Sequence, residues 1–528
     1  MLGSRNKAGG DKMRHMQAPG LSLIVFFRPV NSDNQHWSGM TNLFASKGGK
    51  MMKRALGAVL FVLLSSAAAH ATCSGSGTSW SCTSGTTAAQ IQTVVGSASD
   101  GAVVTFANGS YSWSATITFS LSNGITLICA TGATCTVTTS GTTFGFPTGS
   151  SAKLYRVSGF NFPAAGGLVW TCPAGGCNGT ISQFRFDHNT CSGISASATV
   201  ITIGENTSKQ YVYGVVDHNT FSSASSFAAV QILGAVDSNA PASQQGTVNN
   251  LFIENNTITV TNMTDAGTGA VDGWGPMAAM VFRYNTVTNA LVTIHSSETP
   301  GSHGNGASNW EVYNNHVVAT SGSAVPDGYR MIHHQGSFEE MFFNNLFTPN
   351  SEPINADALS MAAGYPQEYT GSYPTIYQPG RDYLAHLLYP VYAWNNRDTI
   401  TGNTVPAGDE AGVPTYFLAN RDYYDEVGKG PQSSALSPFN GSSGVGFGTL
   451  ANRPSICIPT PSVLSQDKGR GGVGYFATDV GPQGTLYSCS ATNTWTVHYQ
   501  PYTYPHPLVS GSVSGGLVPP TNLAAVVQ

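Results

Sequence analysis

Side chains able to do chemistry gather between residues 265 and 340, among them Asp265, Asp272, Arg283, His295, Glu298, His303, Asp327, Arg330, His333, His334, Glu339 and Glu340. With only 9% of 528 residues charged, such a gathering is a candidate site. An imidazole titrating near neutrality can take a proton from carbon beside a carboxylate, while a guanidinium or divalent cation neutralises that carboxylate and stabilises the enolate-like transition state. His295 or His303 is the expected base, with His333 beside it, and Arg330 the expected neutraliser. Asp272 and Glu298 are expected to contact a ligand. Ca²⁺ needs several oxygen ligands, for which Asp265 and Asp327 are the candidates with Asp272 near them, although no compact metal motif is present. The alternative is that these are solvated turn residues, His333-His334 above all.

Such distant residues need a repeating element to bring them together. Two apolar residues two apart, then an asparagine and another apolar residue, recur eight times, ending at Asn161, Asn189, Asn219, Asn256, Asn285, Asn315, Asn345 and Asn396. Most of these asparagines follow one another at nearly equal intervals, with one longer step from Asn219 to Asn256 and the longest from Asn345 to Asn396. A period of about 30 with a strand signal in each copy predicts one coil of a solenoid, because a single unit cannot bury its own apolar face. Stacked asparagines are then expected to bond along the column, or to serve as left-handed turn residues. Equal offsets from Asn285 and Asn315 should also stack, and His303 stands to Asn285 as His333 stands to Asn315. By the same rule Asp265 should approach His295, and Asp272 should approach Arg330.

The rhythm breaks after Asn345 in an excursion carrying Tyr365, Tyr369, Tyr373, Tyr377 and Tyr383. Long aromatic loops on a rigid scaffold commonly build binding grooves, so Tyr365 and Tyr377 are expected substrate contacts. Arg381 is expected either to hold an acidic sugar or to pair with Asp382.

Composition bounds the rest. The charged fraction is far below the ~25% usual in soluble proteins, and a net charge of −5 gives no basic face for nucleic acid. Lys53 and Arg54, the apolar run Leu56 to Leu64, and Ala69-His70-Ala71 read as a secretory signal, too short to span a bilayer. Residues 1–50 then form a leader or over-extended start, and 51–71 the signal of a secreted or periplasmic protein with no membrane span. In an oxidising compartment the close pairs Cys73 with Cys82, Cys129 with Cys135, Cys172 with Cys177, and Cys457 with Cys489 are candidate disulfides. Cys191 is left as a buried apolar side chain.

A helical stretch from Ala88 to Val95, a strand Ala102-Val-Val-Thr-Phe106, the turn at Asn108-Gly109 before Tyr111, and then coils resemble the start of right-handed parallel β-helix proteins of the pectate lyase-like class. The likeness covers roughly residues 85 to 400 and implies an all-β fold: a right-handed parallel β-helix over 72–400 with an N-terminal helical cap, and an irregular C-terminal cap over 401–528. It further implies an extracellular polysaccharide as partner, acted on by a monomer. β-Elimination of an acidic glycan is the expected reaction. Hydrolysis needs paired carboxylates ~5–9.5 Å apart, for which Glu298, Asp327, Glu339 and Glu340 are available but no closely repeated Asp pair. A non-catalytic glycan-binding or adhesion module is the reading from a different class.

Overall fold

The computed structural model describes residues 72–510, all within the compact unit His70–Gln528, apart from the segments 173–176, 205–208, 235–243, 262–268, 276–277, 291, 296–306, 321–331, 336–338, 350–358, 363–379, 383–385, 410–417, 427–438, 463, 466–467 and 470. The expected signal sequence, residues 51–71, lies outside them. Among the described residues three long sheets run the length of the chain, of 13, 10 and 10 strands. Each coil contributes one strand to each sheet in turn, and neighbouring strands are parallel. This is a parallel β-helix.

Alternation explains the first sheet. In Asn178–Asp187, Phe184 and Phe186 point inward and are fully buried, leaving Arg185 and Asp187 on the outer side. Inward residues from all three sheets form one continuous core. Cys191 follows its asparagine into that core, and the four expected disulfides are formed. Four such bonds are the chemistry of an oxidising compartment rather than of the cytosol. No helix among the described residues is long and apolar enough to cross a membrane.

The asparagines stack as a ladder, with one correction. Asn189 donates its backbone N–H and its Nδ2 to Oδ1 of Asn219, at 2.9 and 3.1 Å, and the same pair of bonds repeats through Asn256, Asn285, Asn315 and Asn345 to Asn396. Asn161 is not a rung. Phe160 takes that place, its N–H donating to Asn189 Oδ1 at 3.0 Å, and Asn161 sits one residue further on, level with Thr190. Nor are the ladder asparagines the left-handed residues. The residue before each rung turns the chain at positive φ: Gly159, His188, His218, Asn255, Tyr284, Asn314, Asn344 and Asn395. Each non-glycine there costs roughly 1–2 kcal/mol, offset by the buried amide bonds of the next residue at about 1 kcal/mol apiece.

Both terminal regions protect edges. The helix Ala88–Ser97 starts with a capping box between Thr87 and Gln90 and buries Ala88, Ile91, Val94 and Val95. Its Gln92 amide donates to Thr118 O at 3.1 Å and accepts from Thr118 N at 2.7 Å, pairing the first strand of the third sheet, which would otherwise present an open edge. Coils continue past the expected boundary at 400, since Ala407–Asp409 and Tyr423–Asp425 are the last strands of the third and first sheets. The C-terminal region then folds back as a four-stranded sheet and a strap over the outer side of the first sheet. Tyr499 meets Glu311, Tyr502 and Thr503 meet Arg283, His506 meets Glu254, and Leu508 meets Arg185, so successive strap residues bind successively earlier coils.

Candidate functional site

Coils of nearly equal length do not divide that length alike among their turns, which decides where a site can form. Every second-sheet strand from Asn189 onward begins on the residue after its asparagine. Third-sheet strands instead begin at Ala228, Val271, Val292 and Ile332, at unequal distances from Asn219, Asn256, Asn285 and Asn315. All the length variation therefore falls in the connections entering and leaving the third sheet. Loops that vary while the scaffold stays fixed are where binding and catalysis are usually built.

Stacking by equal offset fails for that reason. Thr293, not His303, is the register partner of His333, and Asp272 also pairs with Thr293. Asp272, Thr293 and His333 thus occupy one row on three adjacent strands, continued by Gln231 on one side and Ser360 on the other. Two positions along, Leu233, Trp274 and His295 form a second row of the same parity. Since Val271, Val292, Ile294 and Ile332 fill the core, Asp272, Thr293 and Trp274 belong to the outer side of the third sheet, and His333 and His295 share their register. Adjacent strands are ~4.8 Å apart and alternate residues ~6.6 Å, so the two rows make a compact patch.

Within the patch, Asp272 is 6% exposed and accepts a 2.8 Å bond from Gln231 Nε2 at Oδ2. Thr293 is 2% exposed, and its hydroxyl is buried without a partner among the described residues. Trp274 is half-buried. His295 and His333 are placed by their strands. Asp265, Glu298, His303, Asp327 and Arg330 lie outside the described residues, as do Tyr365 and Tyr377. In sequence, Asp265, Asp327 and Arg330 fall in connections entering the third sheet, and Glu298 and His303 in the connection leaving it after His295. Arg381, expected to hold an acidic sugar or to pair with Asp382, is buried on the strand Arg381–Asp382. It is 1% exposed, within a hydrogen bond of His386 at 3.2 Å, and its charge acts on the buried carboxyl of Asp422.

A second cluster is legible in the sequence yet absent from the expected site. The triplet Asp-His-Asn occurs at 187–189 and again one coil later at 217–219, at the turn between the first and second sheets. His188 and His218 stack with ring centroids 5.0 Å apart and planes 2° from parallel, each Nδ1 against the preceding aspartate at 2.8 and 2.9 Å. Arg156 grips Asp187 with bonds of 2.7 and 2.6 Å, and Arg185 grips Asp217 with bonds of 2.9 and 2.8 Å. Burial alone would raise the pKa of Asp187, but the hydrogen bonds from Arg156 and His188 and the charge of Arg185 hold it well below the usual carboxylate range. Asp187, His188 and Asp217 lie close enough to share an ion, with candidate ligand atoms within 4.8 Å. Calcium does not fit there, since two guanidiniums already take up the carboxylate oxygens and cancel their charge.

Neither a protein-family model nor a curated protein matches this chain.

Proposed function

We propose that this is an exported polysaccharide lyase, cleaving an acidic glycan by β-elimination on the outer side of the third sheet. The observation that carries the reading is the single row Asp272, Thr293, His333, with Trp274 and His295 beside it, on the one sheet whose flanking loops vary. His295 or His333 takes the proton from the carbon next to the sugar carboxylate. Those electrons form the carbon–carbon double bond as the bond to the glycosidic oxygen breaks, and that oxygen leaves with a proton from water. Arg330, on the connection running into the strand of His333, is proposed to neutralise the carboxylate, Trp274 to stack on a sugar face, and Asp272 to accept a hydroxyl.

A screen of residues 72–528 against acidic and neutral polysaccharides tests this, following absorbance of unsaturated products and new reducing ends, with and without a chelator. Unsaturated products lost in His295→Ala or His333→Ala but retained in His188→Ala support the proposal. Reducing ends without absorbance would mean hydrolysis. Activity surviving every change in the patch would place the chemistry elsewhere. Non-catalytic glycan binding is the second reading, favoured by the tyrosine-lined cleft described next.

A further inference from the structure

An open, shallow cleft lies at the corner where the third sheet passes into the first. Its walls include Leu233 from the third sheet, Tyr211 and Tyr213 from the strand Lys209–Asp217, and the amides Gln210, Gln244 and Asn250. Leu233 belongs to the row of Trp274 and His295, so the cleft adjoins the patch described above. No lining residue among the described ones is charged.

Two amides are oriented in a way their own fold does not use. Gln210, 5% exposed, donates through Nε2 to Pro147 O at 3.4 Å, and Asn250, 1% exposed, donates through Nδ2 to Gln244 O at 2.8 Å. Both carbonyl oxygens, Gln210 Oε1 and Asn250 Oδ1, are buried with no partner among the described residues. A buried acceptor left unpaired costs roughly 1–3 kcal/mol, so each calls for a donor from outside the chain. Tyr211 and Tyr213 stand beside them with ring centroids 6.1 Å apart, both half-buried, and Tyr213 Oη already accepts from Gln244 Nε2 at 3.2 Å. Apolar ring faces next to bare acceptors match a pyranose, which offers C–H faces to aromatics and O–H donors at its rim.

We infer that this cleft is a subsite for a neutral sugar residue, held by its hydroxyls on Gln210 and Asn250 and by stacking on Tyr211. The inference rests on the polysaccharide reading but not on cleavage. A uronate carboxylate would meet two carbonyl oxygens there and, among the described residues, no cation, so the polymer that fits carries neutral as well as acidic residues. Water could also supply donors to both amides, and the experiment separates the two occupants.

The full chain is titrated with gluco-, manno-, galacto- and xylotetraose and with tetragalacturonate, by calorimetry and by saturation-transfer NMR. Binding of a neutral tetrasaccharide, weakened about tenfold or more by Tyr211→Ala and restored by Tyr211→Phe, is the expected result. Asn250→Leu, which removes the acceptor, should weaken it similarly with the urea midpoint followed as a control on folding. Binding unchanged in Tyr211→Ala, no binding of any neutral tetrasaccharide, or preference for tetragalacturonate would each overturn the subsite. Neutral binding by a chain that cleaves no polymer would support the subsite and remove the lyase reading.

Discussion

Asn285 gives both its backbone N–H and its side-chain Nδ2 to the same oxygen, Oδ1 of Asn315 on the next coil, at 3.0 and 3.1 Å. Its own Oδ1 receives the same pair from Asn256, and its Nδ2 also reaches the backbone oxygens of Ile253 and Arg283. One side chain therefore satisfies polar groups on three successive coils, all of them buried.

Replacing it should be costly. Asn285→Ala strands the Asn256 N–H and amide and the Ile253 carbonyl away from water, so a loss of about 3 kcal/mol or more in urea unfolding is expected. Asn161→Ala, in the same sequence pattern but off the ladder, should change stability by less than about 0.5 kcal/mol. Equal costs for the two would mean that the pattern and not the ladder is what matters.

The contrast between those two residues shows what a sequence of this kind discloses. The coil is legible because each unit repeats an apolar pair and an asparagine at a constant offset. Asn161 misleads because Phe160-Asn-Phe162 satisfies the same pattern one residue late, and Gly159 alone marks the true frame, as the residue able to take φ 80° without cost. The charged residues of the candidate site fall, in sequence, in the connections around the third sheet. Their neighbours were not legible, because Asn285 and Asn315 head coils of equal length yet start their third-sheet strands early, at Val292, and late, at Ile332. The length of a coil fixes its stacking only where its turns are also equal. The Asp-His pairs were missed for a different reason, as they lie in the regular part of the coil and outside the charge-dense window.

Asp272 offers a direct test of the patch. Its hydrogen bond from Gln231 Nε2 can be kept by an amide oxygen, so Asp272→Asn should fold normally while lacking the negative charge beside Thr293 and His333. We expect turnover of an acidic polymer to fall by about 10²-fold or more with a smaller change in KM, the range for losing a group that acts in the transition state. Unchanged turnover with normal folding would leave Asp272 a structural residue.

Arg185 ties the strap to the coils. It is 2% exposed, binds Asp217 in a bidentate pair and donates from Nη1 to Leu508 O at 2.7 Å. Arg185→Met fills similar space but leaves the fully buried Asp217 without its cation, for which about 3–5 kcal/mol of stability should be lost, with faster proteolysis near Leu508. Lys153, half-exposed in its pair with Asp100, should be replaceable by alanine with no measurable shift in the unfolding midpoint.

The strap and the sheet beneath it also hold two buried groups that titrate in opposite senses. Burial pushes the Glu311 carboxyl up to about 7, against the opposing hydrogen bonds from Tyr499 and the Gly246 N–H and the charge of Arg283. Burial and the nearby Arg283 push His506 down to about 4. A raised carboxyl favours folding fully below its ordinary value of 4.5, and that contribution is lost as pH rises through about 7. A depressed imidazole favours folding fully above its ordinary value of 6.5, and that contribution is lost as pH falls through about 4. The two losses overlap between about 4.5 and 6.5 and largely cancel there, so the native strap should show only a shallow optimum in mildly acidic solution. Glu311→Gln keeps an acceptor for Tyr499 but cannot ionise, so it should abolish the alkaline loss and leave the acid loss of His506 uncompensated, a fall on the order of 3 kcal/mol toward low pH. His506→Phe keeps the ring against Phe252, 4.8 Å away in the native chain, and should instead leave the alkaline loss of Glu311 uncompensated. Urea midpoints measured from pH 4 to 9 for the three proteins decide the matter: superimposable curves would show that neither group governs the strap, and a Glu311→Gln curve still falling above neutrality would assign the alkaline limb to another residue.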